Sequence, residues 1–212
     1  KSLFDLPDAR KVHDRPIPRL GGVTFFPVIV FVMCVLCLYL VLHCSDSNRF
    51  FTDNMVNEFL ALMGGLTLLY VIGVGDDLVG VRYSRKFLIQ IAAALLIPVS
   101  GLYINNFYGL FSLGEIPTFV GVPFTLLLTV FVTNAINLID GIDGLASGLC
   151  MVALGMFGCT FAIEGLWMYS LLAFVCMGVL VPFFCYNVFG KAEKGSKIFM
   201  GDTGSLTLGF IL

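Results

Sequence analysis

Long apolar runs separated by short charged segments dominate this chain. Six uncharged runs are complete, at residues 20–44, 59–75, 87–104, 116–139, 144–163 and 165–188, and a seventh begins at Thr203 and reaches Leu212. A helix needs roughly 20 residues to cross the hydrocarbon core of a bilayer, and each complete run is near that length. The pattern therefore predicts six complete transmembrane helices and part of a seventh.

Residues 105–116 depart from this pattern. They read N-N-F-Y-G-L-F-S-L-G-E-I, a weak alternation of polar and apolar residues interrupted by glycines. Such a segment between two apolar runs is typical of a small β-hairpin, which we expect on the outer side of the membrane.

Composition supports the same class of fold. With 58% hydrophobic and 12% charged residues, the chain is more apolar than one soluble core of 212 residues requires. We therefore expect an all-α polytopic membrane protein in which residues 1–212 form a single transmembrane domain. Because the chain begins at Lys1 rather than at a methionine and its seventh run is short, we also expect a fragment, with an N-terminal span and a C-terminal region outside it.

Basic residues fall almost entirely into three segments. Eleven of the twelve lie at residues 1–19, 82–86 and 191–197, and Arg49 is the exception. If the helices alternate in direction, the three segments share one face of the membrane. The positive-inside rule makes that face cytoplasmic.

Acidic and amide side chains lie at the same face. Residues 134–148 read N-A-I-N-L-I-D-G-I-D-G-L-A-S-G and join two apolar runs. Residues three apart are neighbours on a helix, so Asn137 lies beside Asp140 and Asp140 beside Asp143. Gathered carboxylate and amide oxygens suit Mg²⁺ and the phosphates that it carries. The alternative is structural: Asp143 caps a helix and the glycines form turns.

A second acidic group ends the second run, where G-V-G-D-D-L places Asp76 and Asp77 side by side. Adjacent carboxylates repel each other unless a cation lies between them, which favours a ligand-binding role. The alternative is a simple stop signal for the span. Downstream, Arg82, Arg85 and Lys86 could clamp a phosphate or could anchor the helix as positive-inside residues.

Two further charged segments carry motifs. Residues 5–22 read D-L-P-D-A-R-K-V-H-D-R-P-I-P-R-L-G-G and predict an extended, solvated loop, with attraction to anionic lipid as the alternative. Residues 197–206 read K-I-F-M-G-D-T-G-S-L and predict a turn into a helix, where backbone N–H groups and the helix dipole can hold an anion. Asp202 or Thr203 could instead cap that helix, and Phe199 could anchor it at the interface.

These four motifs together resemble a known family. The start D-x-P-x-x-R-K-x-H-x-x-P-I-P-R-L-G-G, the pair G-V-G-D-D, the stretch N-A-I-N-L-I-D-G-I-D-G-L-A and the end K-I-F-M-G-D-T-G-S-L have the order and spacing of the polyprenyl-phosphate N-acetylhexosamine-1-phosphate transferases, glycosyltransferase family 4. The chain looks most like the bacterial undecaprenyl-phosphate N-acetylglucosaminyl-1-phosphate transferases. It has I-P-R-L-G-G where the phospho-muramoyl-pentapeptide enzymes have T-P-T-M-G-G.

The resemblance implies a membrane catalytic domain that transfers a sugar 1-phosphate, N-acetylglucosamine 1-phosphate by this comparison, from a UDP-sugar to undecaprenyl phosphate and releases UMP. The reaction would be the first membrane step of cell-envelope polysaccharide synthesis, including lipopolysaccharide, in the bacterial plasma membrane, with the active site facing the cytoplasm. Mg²⁺, with Mn²⁺ as the alternative, is the implied cofactor. The implied partners are the two substrates and the bilayer but no nucleic acid, and a homodimer is left open. The family's histidine-containing sugar-recognition loop is expected beyond Leu212.

The resemblance also implies roles for individual residues. The metal ligands are Asn137 and Asp202, and the acids near the reacting phosphates are Asp76, Asp77 and Asp140. The substrate-binding residues are Lys86 on phosphate, Phe199 stacked on uracil, Lys11, and the nucleotide-pocket residues Gly141, Asp143 and Asn187. Because a lipid monophosphate has its second pKa near ~6 and needs little help from a base, the adjacent pair is expected to organise metal and nucleophile first, and to act as base or covalent nucleophile second.

Two rival classes are a membrane transporter and a CDP-alcohol phosphotransferase. A transporter would place its carboxylates near the bilayer midplane, whereas these lie at the ends of apolar runs. The phosphotransferases begin D-x-x-D-G, as residues 140–144 do, and then need an Ala-Arg pair and two more aspartates. This chain has Ser147 and Gly148 there, and its next acid is Glu164.

Overall fold

The computed structural model describes residues 4–5, 17–43 and 53–212 of the chain. The described part contains seven α-helices: α1 Phe25–His43, α2 Asp53–Val79, α3 Tyr83–Val99, α4 Thr118–Ile139, α5 Leu145–Ile163, α6 Trp167–Val188 and α7 Gly201–Ile211. A 3₁₀ turn, Gly21–Thr24, leads into α1. The predicted all-α fold is confirmed.

Five of the described helices are long and apolar enough to cross a membrane, namely α1 with its 3₁₀ turn, α2, α4, α5 and α6. The remaining predicted span corresponds to α3, which has 17 residues and a length of about 26 Å. It begins before the predicted residue 87, at Tyr83, and it ends early because Gly101 follows in the left-handed region at φ +96°. The chain is a multi-pass membrane protein.

Helices that follow one another run in opposite directions. The end of α2 meets the start of α3, where Asp76 pairs with Lys86, and Gly64 faces Leu96 further along the same two helices. The same arrangement joins α5 to α6, because Gly144 N donates to Asn187 Oδ1 while Ser170 Oγ donates to Gly158 O. One end of the bundle therefore gathers the ends of α2, α4 and α6 with the starts of α3, α5 and α7.

The short helix α7 lies between the two apolar cores of the bundle. One core is formed mainly by α1, α5 and α6 and includes Leu208, and the other is formed by α2 and α3 and includes Leu206 and Phe210. Residues 203–210 are all buried. Among their polar side chains, Thr207 Oγ1 bonds within the helix, to Thr203 O at 2.7 Å, whereas Thr203 and Ser205 also bond to neighbouring helices. This central position holds the start of α7 in place.

Glycines allow α7 to approach its neighbours closely. A Cβ added at Gly73 of α2 would lie 2.6 Å from the Cα of Thr203, and one added at Gly209 of α7 would lie 2.6 Å from the Cα of Thr133. Small residues at helix contacts bring backbones together in membrane proteins. The side chains at the start of α7 are thereby brought within reach of α2 and α4.

Two small β features complete the fold. The predicted hairpin is present: Asn106 and Glu115 form an antiparallel bridge between α3 and α4, and Phe107 N donates to Gly114 O at 3.0 Å. Its position on the outer side of the membrane stays a prediction. Near the N-terminus, β1 Phe4–Asp5 pairs with β2 Ile17–Pro18, so these residues of the predicted loop are extended.

Candidate active site

Asp77 caps the start of α7 from a different helix. Its Oδ1 accepts a hydrogen bond from Asp202 N at 2.9 Å, and its Oδ2 accepts from Thr203 N at 3.0 Å and from Thr203 Oγ1 at 2.6 Å. The first N–H groups of a helix lack partners within it, so a carboxylate there stabilises the helix start. The alternative in which Asp202 or Thr203 caps α7 is wrong, because Met200 holds the cap position and makes no side-chain cap bond.

Gly201 makes this capping possible. It has φ +75°, and a Cβ at this position would lie 2.2 Å from Arg19 O and 2.9 Å from both carboxylate oxygens of Asp77. Only glycine combines that backbone conformation with so close an approach. The Asp77 cap thus explains why the first residue of the G-D-T-G motif, Gly201, is a glycine. A direct chemical role for Asp77 stays a prediction.

Lys86 joins two more of the predicted acidic residues, Asp76 and Asp202. Its Nζ lies 3.0 Å from Asp76 Oδ2 and 2.5 Å from Asp202 Oδ1, and the residue is only 8% exposed. Asp76 also accepts a hydrogen bond from Val81 N at 2.6 Å in the turn between α2 and α3. The adjacent residues Asp76 and Asp77 therefore have separate partners: the first is held by Lys86 and the second by α7.

The two predicted metal ligands meet at the same place. Asn137 of α4 donates through Nδ2 to Asp202 Oδ1 at 2.5 Å and to Ser205 Oγ at 2.8 Å. Ser205 was not predicted as a site residue, although its position three residues after Asp202 places it on the same face of α7. Lys86 of α3 and Asn137 of α4 thus converge on one carboxylate oxygen of Asp202 at the start of α7.

Asp140 is a fourth carboxyl group close to Asp202 and Asp77. Its pKa is raised to about 8, mainly by burial and also by the nearby carboxylates Asp202 and Asp77, while a hydrogen bond from the Gly201 backbone opposes the shift. Fully ionised, the four carboxylates exceed the single charge of Lys86 by three. Excess negative charge on hard oxygen atoms fits a divalent cation such as Mg²⁺.

The donor set also limits the kind of metal site. In the part of the chain that the structure describes, no three His, Cys, Asp or Glu side chains are grouped as a complete metal site. Mg²⁺ is usually held by one or two carboxylates together with substrate phosphates rather than by a cage of protein ligands. Asp202 and the amide of Asn137 match that mode, in which phosphate oxygens supply the remaining ligands.

A second polar group joins the turn after α4 to the segment before α7. Asn187 accepts a hydrogen bond from Gly144 N at 2.7 Å and donates to Ile198 O at 2.9 Å. Lys197 Nζ lies 2.5 Å from Asp143 Oδ2. The capping alternative for Asp143 is wrong, since Gly144 holds the cap position of α5 without a side-chain cap bond. Lys197 was not predicted as a site residue, although it begins the K-I-F-M-G-D motif.

Phe199 is held at the edge of this second group by backbone hydrogen bonds. Its N–H donates to Pro18 O at 2.9 Å, and its carbonyl accepts from Gly21 N at 3.0 Å. The side chain is half-buried and lies three residues before Asp202. Gly141 lies in an exposed turn where an added Cβ would meet only Leu138 O, at 4.0 Å, so space does not require a glycine there. The predicted roles of Phe199 and Gly141 stay predictions.

Lys11 lies outside the described residues, as does most of the N-terminal motif. The other predicted site residues divide into two neighbouring groups. The first, which we call the acidic cluster, consists of Asp76, Asp77, Lys86, Asn137, Asp140 and Asp202. The second, which we call the turn group, consists of Gly141, Asp143, Asn187 and Phe199.

Fold and site together define a polytopic membrane protein with an acidic, lysine-containing site at one end of its helix bundle. Residues 59–212 match the family model described as Glycosyl transferase family 4. The chain belongs to this family.

Curated relatives cover nearly the whole chain. It is 34% identical over 211 residues, 97% of the chain, to the probable undecaprenyl-phosphate N-acetylglucosaminyl 1-phosphate transferase of Bacillus subtilis strain 168, of which it covers 52%. It is 29% identical to the undecaprenyl-phosphate alpha-N-acetylglucosaminyl 1-phosphate transferase of Yersinia pestis, with 98% of the chain and 53% of the relative covered. It is 31% identical to the phospho-N-acetylmuramoyl-pentapeptide-transferase of Staphylococcus carnosus, with 92% and 60% covered. The chain spans about half the length of the first two relatives.

Proposed function

We propose that the protein transfers a sugar 1-phosphate from a UDP-sugar to a polyprenyl phosphate and releases UMP. The observation that carries this proposal is the convergence of Lys86, Asn137 and Asp202 on one point at the shared end of the helices. A cation and hard oxygen ligands at such a point suit the transfer of phosphate groups. The names of the relatives support the same reaction class.

The position of the site suits a substrate that lies in the membrane. The acidic cluster is at the end of the bundle, where a lipid phosphate at headgroup depth and a nucleotide arriving from water can both reach it. Of the basic residues predicted for the cytoplasmic side, Lys86 and Lys197 lie at this end. We therefore propose a bacterial plasma-membrane enzyme whose active site faces the cytoplasm.

In the proposed reaction, an oxygen of the lipid phosphate attacks the β-phosphorus of the UDP-sugar. A new P–O bond forms there, the bond between this phosphorus and the bridging oxygen breaks, and UMP leaves with the electron pair. Much of a lipid monophosphate is already a dianion at neutral pH, because its second pKa is near ~6. The chain therefore needs to supply position and charge compensation more than a strong base.

The residues of the acidic cluster have different roles in the proposed reaction. Lys86 places a positive charge beside the phosphates, and Asp76 and Asp202 hold its Nζ in position. Asp77 fixes the backbone of Asp202. Asp202 and Asn137 would hold Mg²⁺ or Mn²⁺, which when bound would neutralise charge on the pyrophosphate oxygens. The turn group would form the wall of the nucleotide pocket, with Phe199 against the uracil.

The donor sugar is proposed to be N-acetylglucosamine. Relatives named for both N-acetylglucosaminyl and N-acetylmuramoyl-pentapeptide transfer match the chain. The I-P-R-L-G-G sequence at residues 17–22 favours the first group by its resemblance. In the structure this segment lies directly beside the segment that contains Phe199, since Gly22 N donates to Met200 O at 2.8 Å.

The proposal is tested by measuring UMP release from purified protein in detergent with undecaprenyl phosphate and Mg²⁺. UDP-N-acetylglucosamine is expected to be turned over, and UDP-N-acetylmuramoyl-pentapeptide is not. Asp202→Asn should reduce turnover to background while the protein stays folded, because the change removes a charged ligand at a helix start. Turnover of the pentapeptide substrate alone would reassign the sugar, and absence of UMP release with both donors would contradict the reaction class.

A further inference from the structure

Two amide side chains join α3 to α4 one turn deeper in the bundle than the acidic cluster. Asn134 Nδ2 donates to Gln90 Oε1 at 2.9 Å. Gln90 follows Lys86 by four residues on α3, and Asn134 precedes Asn137 by three residues on α4, so each amide shares a helix face with a residue of the cluster. We call this hydrogen-bonded pair the amide bridge.

The orientation of both amides follows from their hydrogen bonds. Asn134 Nδ2 also donates to Val130 O at 2.8 Å, so the nitrogen of Asn134, and not its oxygen, must lie on that side. Gln90 must then turn its oxygen towards Asn134. As a consequence Gln90 Nε2 is buried without a hydrogen-bond partner among the described residues, and Gln90 is only 2% exposed.

This arrangement is a poor solution for packing alone. A buried donor without a partner is unfavourable, whereas two apolar side chains of similar shape in place of both partners are often neutral or stabilising. Polar residues inside membrane proteins are costly and usually serve function. The amide bridge is therefore better explained by the position that it imposes on the residues one turn away.

We propose that Gln90 and Asn134 are positioning residues that hold α3 and α4 in the register required by the acidic cluster. In that register Lys86 Nζ and Asn137 Nδ2 both lie 2.5 Å from Asp202 Oδ1. Another hydrogen bond joins the segment after α3 to α4, from Ile104 N to Thr125 Oγ1 at 2.9 Å, but it lies near the opposite end of the helices. The bridge is thus the nearer constraint on the spacing of Lys86 and Asn137.

The inference rests on the proposed function only in that Lys86, Asn137 and Asp202 are taken to act on phosphate. It adds that Gln90 and Asn134 set the spacing between Lys86 and Asn137. Gln90 and Asn134 touch no substrate and act through the cluster. Loss of the bridge should therefore loosen Lys86 and slow the reaction without weakening nucleotide binding at the turn group.

The test uses Gln90→Met and the double variant Gln90→Met/Asn134→Leu, which remove the bridge with little change in side-chain size. Thr133→Val is the matched control, because Thr133 is adjacent to Asn134, is 1% exposed and donates only to Thr129 O within its own helix in the described structure. Four quantities are measured in detergent: the thermal unfolding temperature, the affinity for UMP, the rate of UMP release, and the rate at which acetic anhydride acetylates Lys86, followed by mass spectrometry.

Both bridge variants should unfold at the wild-type temperature or above it and bind UMP as the wild type does. Lys86 should be acetylated about fivefold faster, because local opening exposes its amine. UMP release at saturating substrates should be about tenfold slower, because small displacements of catalytic groups have effects of this order. Thr133→Val should match the wild type in all four measurements.

Wild-type acetylation of Lys86 in both bridge variants would overturn the inference. A lower unfolding temperature in the bridge variants, with an unchanged Thr133→Val protein, would also overturn it, because the amides would then serve packing. If the wild type releases no UMP at all, the proposed function fails. Faster acetylation of Lys86 in the bridge variants would in that case still support the positioning role.

Discussion

Replacing Asp77 by alanine should uncap α7 and displace Asp202. Asp77 accepts three hydrogen bonds at this helix start, from Asp202 N, Thr203 N and Thr203 Oγ1. Loss of a helix cap costs about 0.5–2 kcal/mol, and a hydrogen bond to a charged group contributes about 1.5–3 kcal/mol. Because these figures describe overlapping interactions, we expect Asp77→Ala to lower the free energy of unfolding by roughly 2–3 kcal/mol. Asp77→Asn keeps one acceptor oxygen and should lose about half as much.

Asp77→Ala should also reduce turnover about a hundredfold, because a shift of about 1 Å in a catalytic group has an effect of that size. Unfolding can be followed by the fluorescence of Trp167, the only tryptophan in the chain. UMP release gives the activity. Thr203→Val is the control, since it removes only the hydroxyl contact and should cost about 1 kcal/mol.

The order of stability distinguishes the cap from a chemical role. If Asp77 acts as a cap, the wild type should be the most stable of the three proteins, Asp77→Asn should be intermediate and Asp77→Ala should be the least stable. An Asp77→Ala protein with wild-type stability and no activity would refute the capping argument and would assign Asp77 to the chemistry itself.

Three further predictions follow from the site. Phe199→Ala should weaken UMP binding by roughly ten- to a hundredfold, because stacking on a base contributes about 1–3 kcal/mol, and unchanged binding in a calorimeter would leave Phe199 as an interfacial anchor. In metal-free protein, Asp140 keeps its proton when folded up to a pKa of about 8 but releases it near 3.8 when unfolded, so stability should fall as the pH rises through this window. Unfolding temperatures measured against pH in EDTA should show that dependence reduced in Asp140→Asn, and equal slopes for both proteins would contradict it. Cysteines placed at Gly80 and Ser112 should react with a membrane-impermeant reagent from opposite sides of the bilayer, and labelling from one side would contradict the alternation of the helices.

The sequence alone determined the class of fold and the end of the bundle at which the acidic cluster lies. The length of an apolar run is a local property that can be compared directly with the thickness of a bilayer, so the helices are found near their predicted positions. The hairpin between α3 and α4 was also predictable, because alternation and glycines act over a few residues. The acidic cluster could be anticipated because Asp76, Asn137 and Asp202 all lie at ends of runs that meet if helices alternate.

Tertiary structure alone decided which partner each acidic residue contacts. Asp76 and Asp77 are adjacent in sequence, but successive residues of a helix point about 100° apart, so one meets Lys86 and the other meets α7. The partner of Asp143 is Lys197, 54 residues away, which no local capping pattern indicates. The amide bridge likewise depends on how α3 packs against α4. Contacts between distant helices follow from packing geometry, which one sequence does not contain.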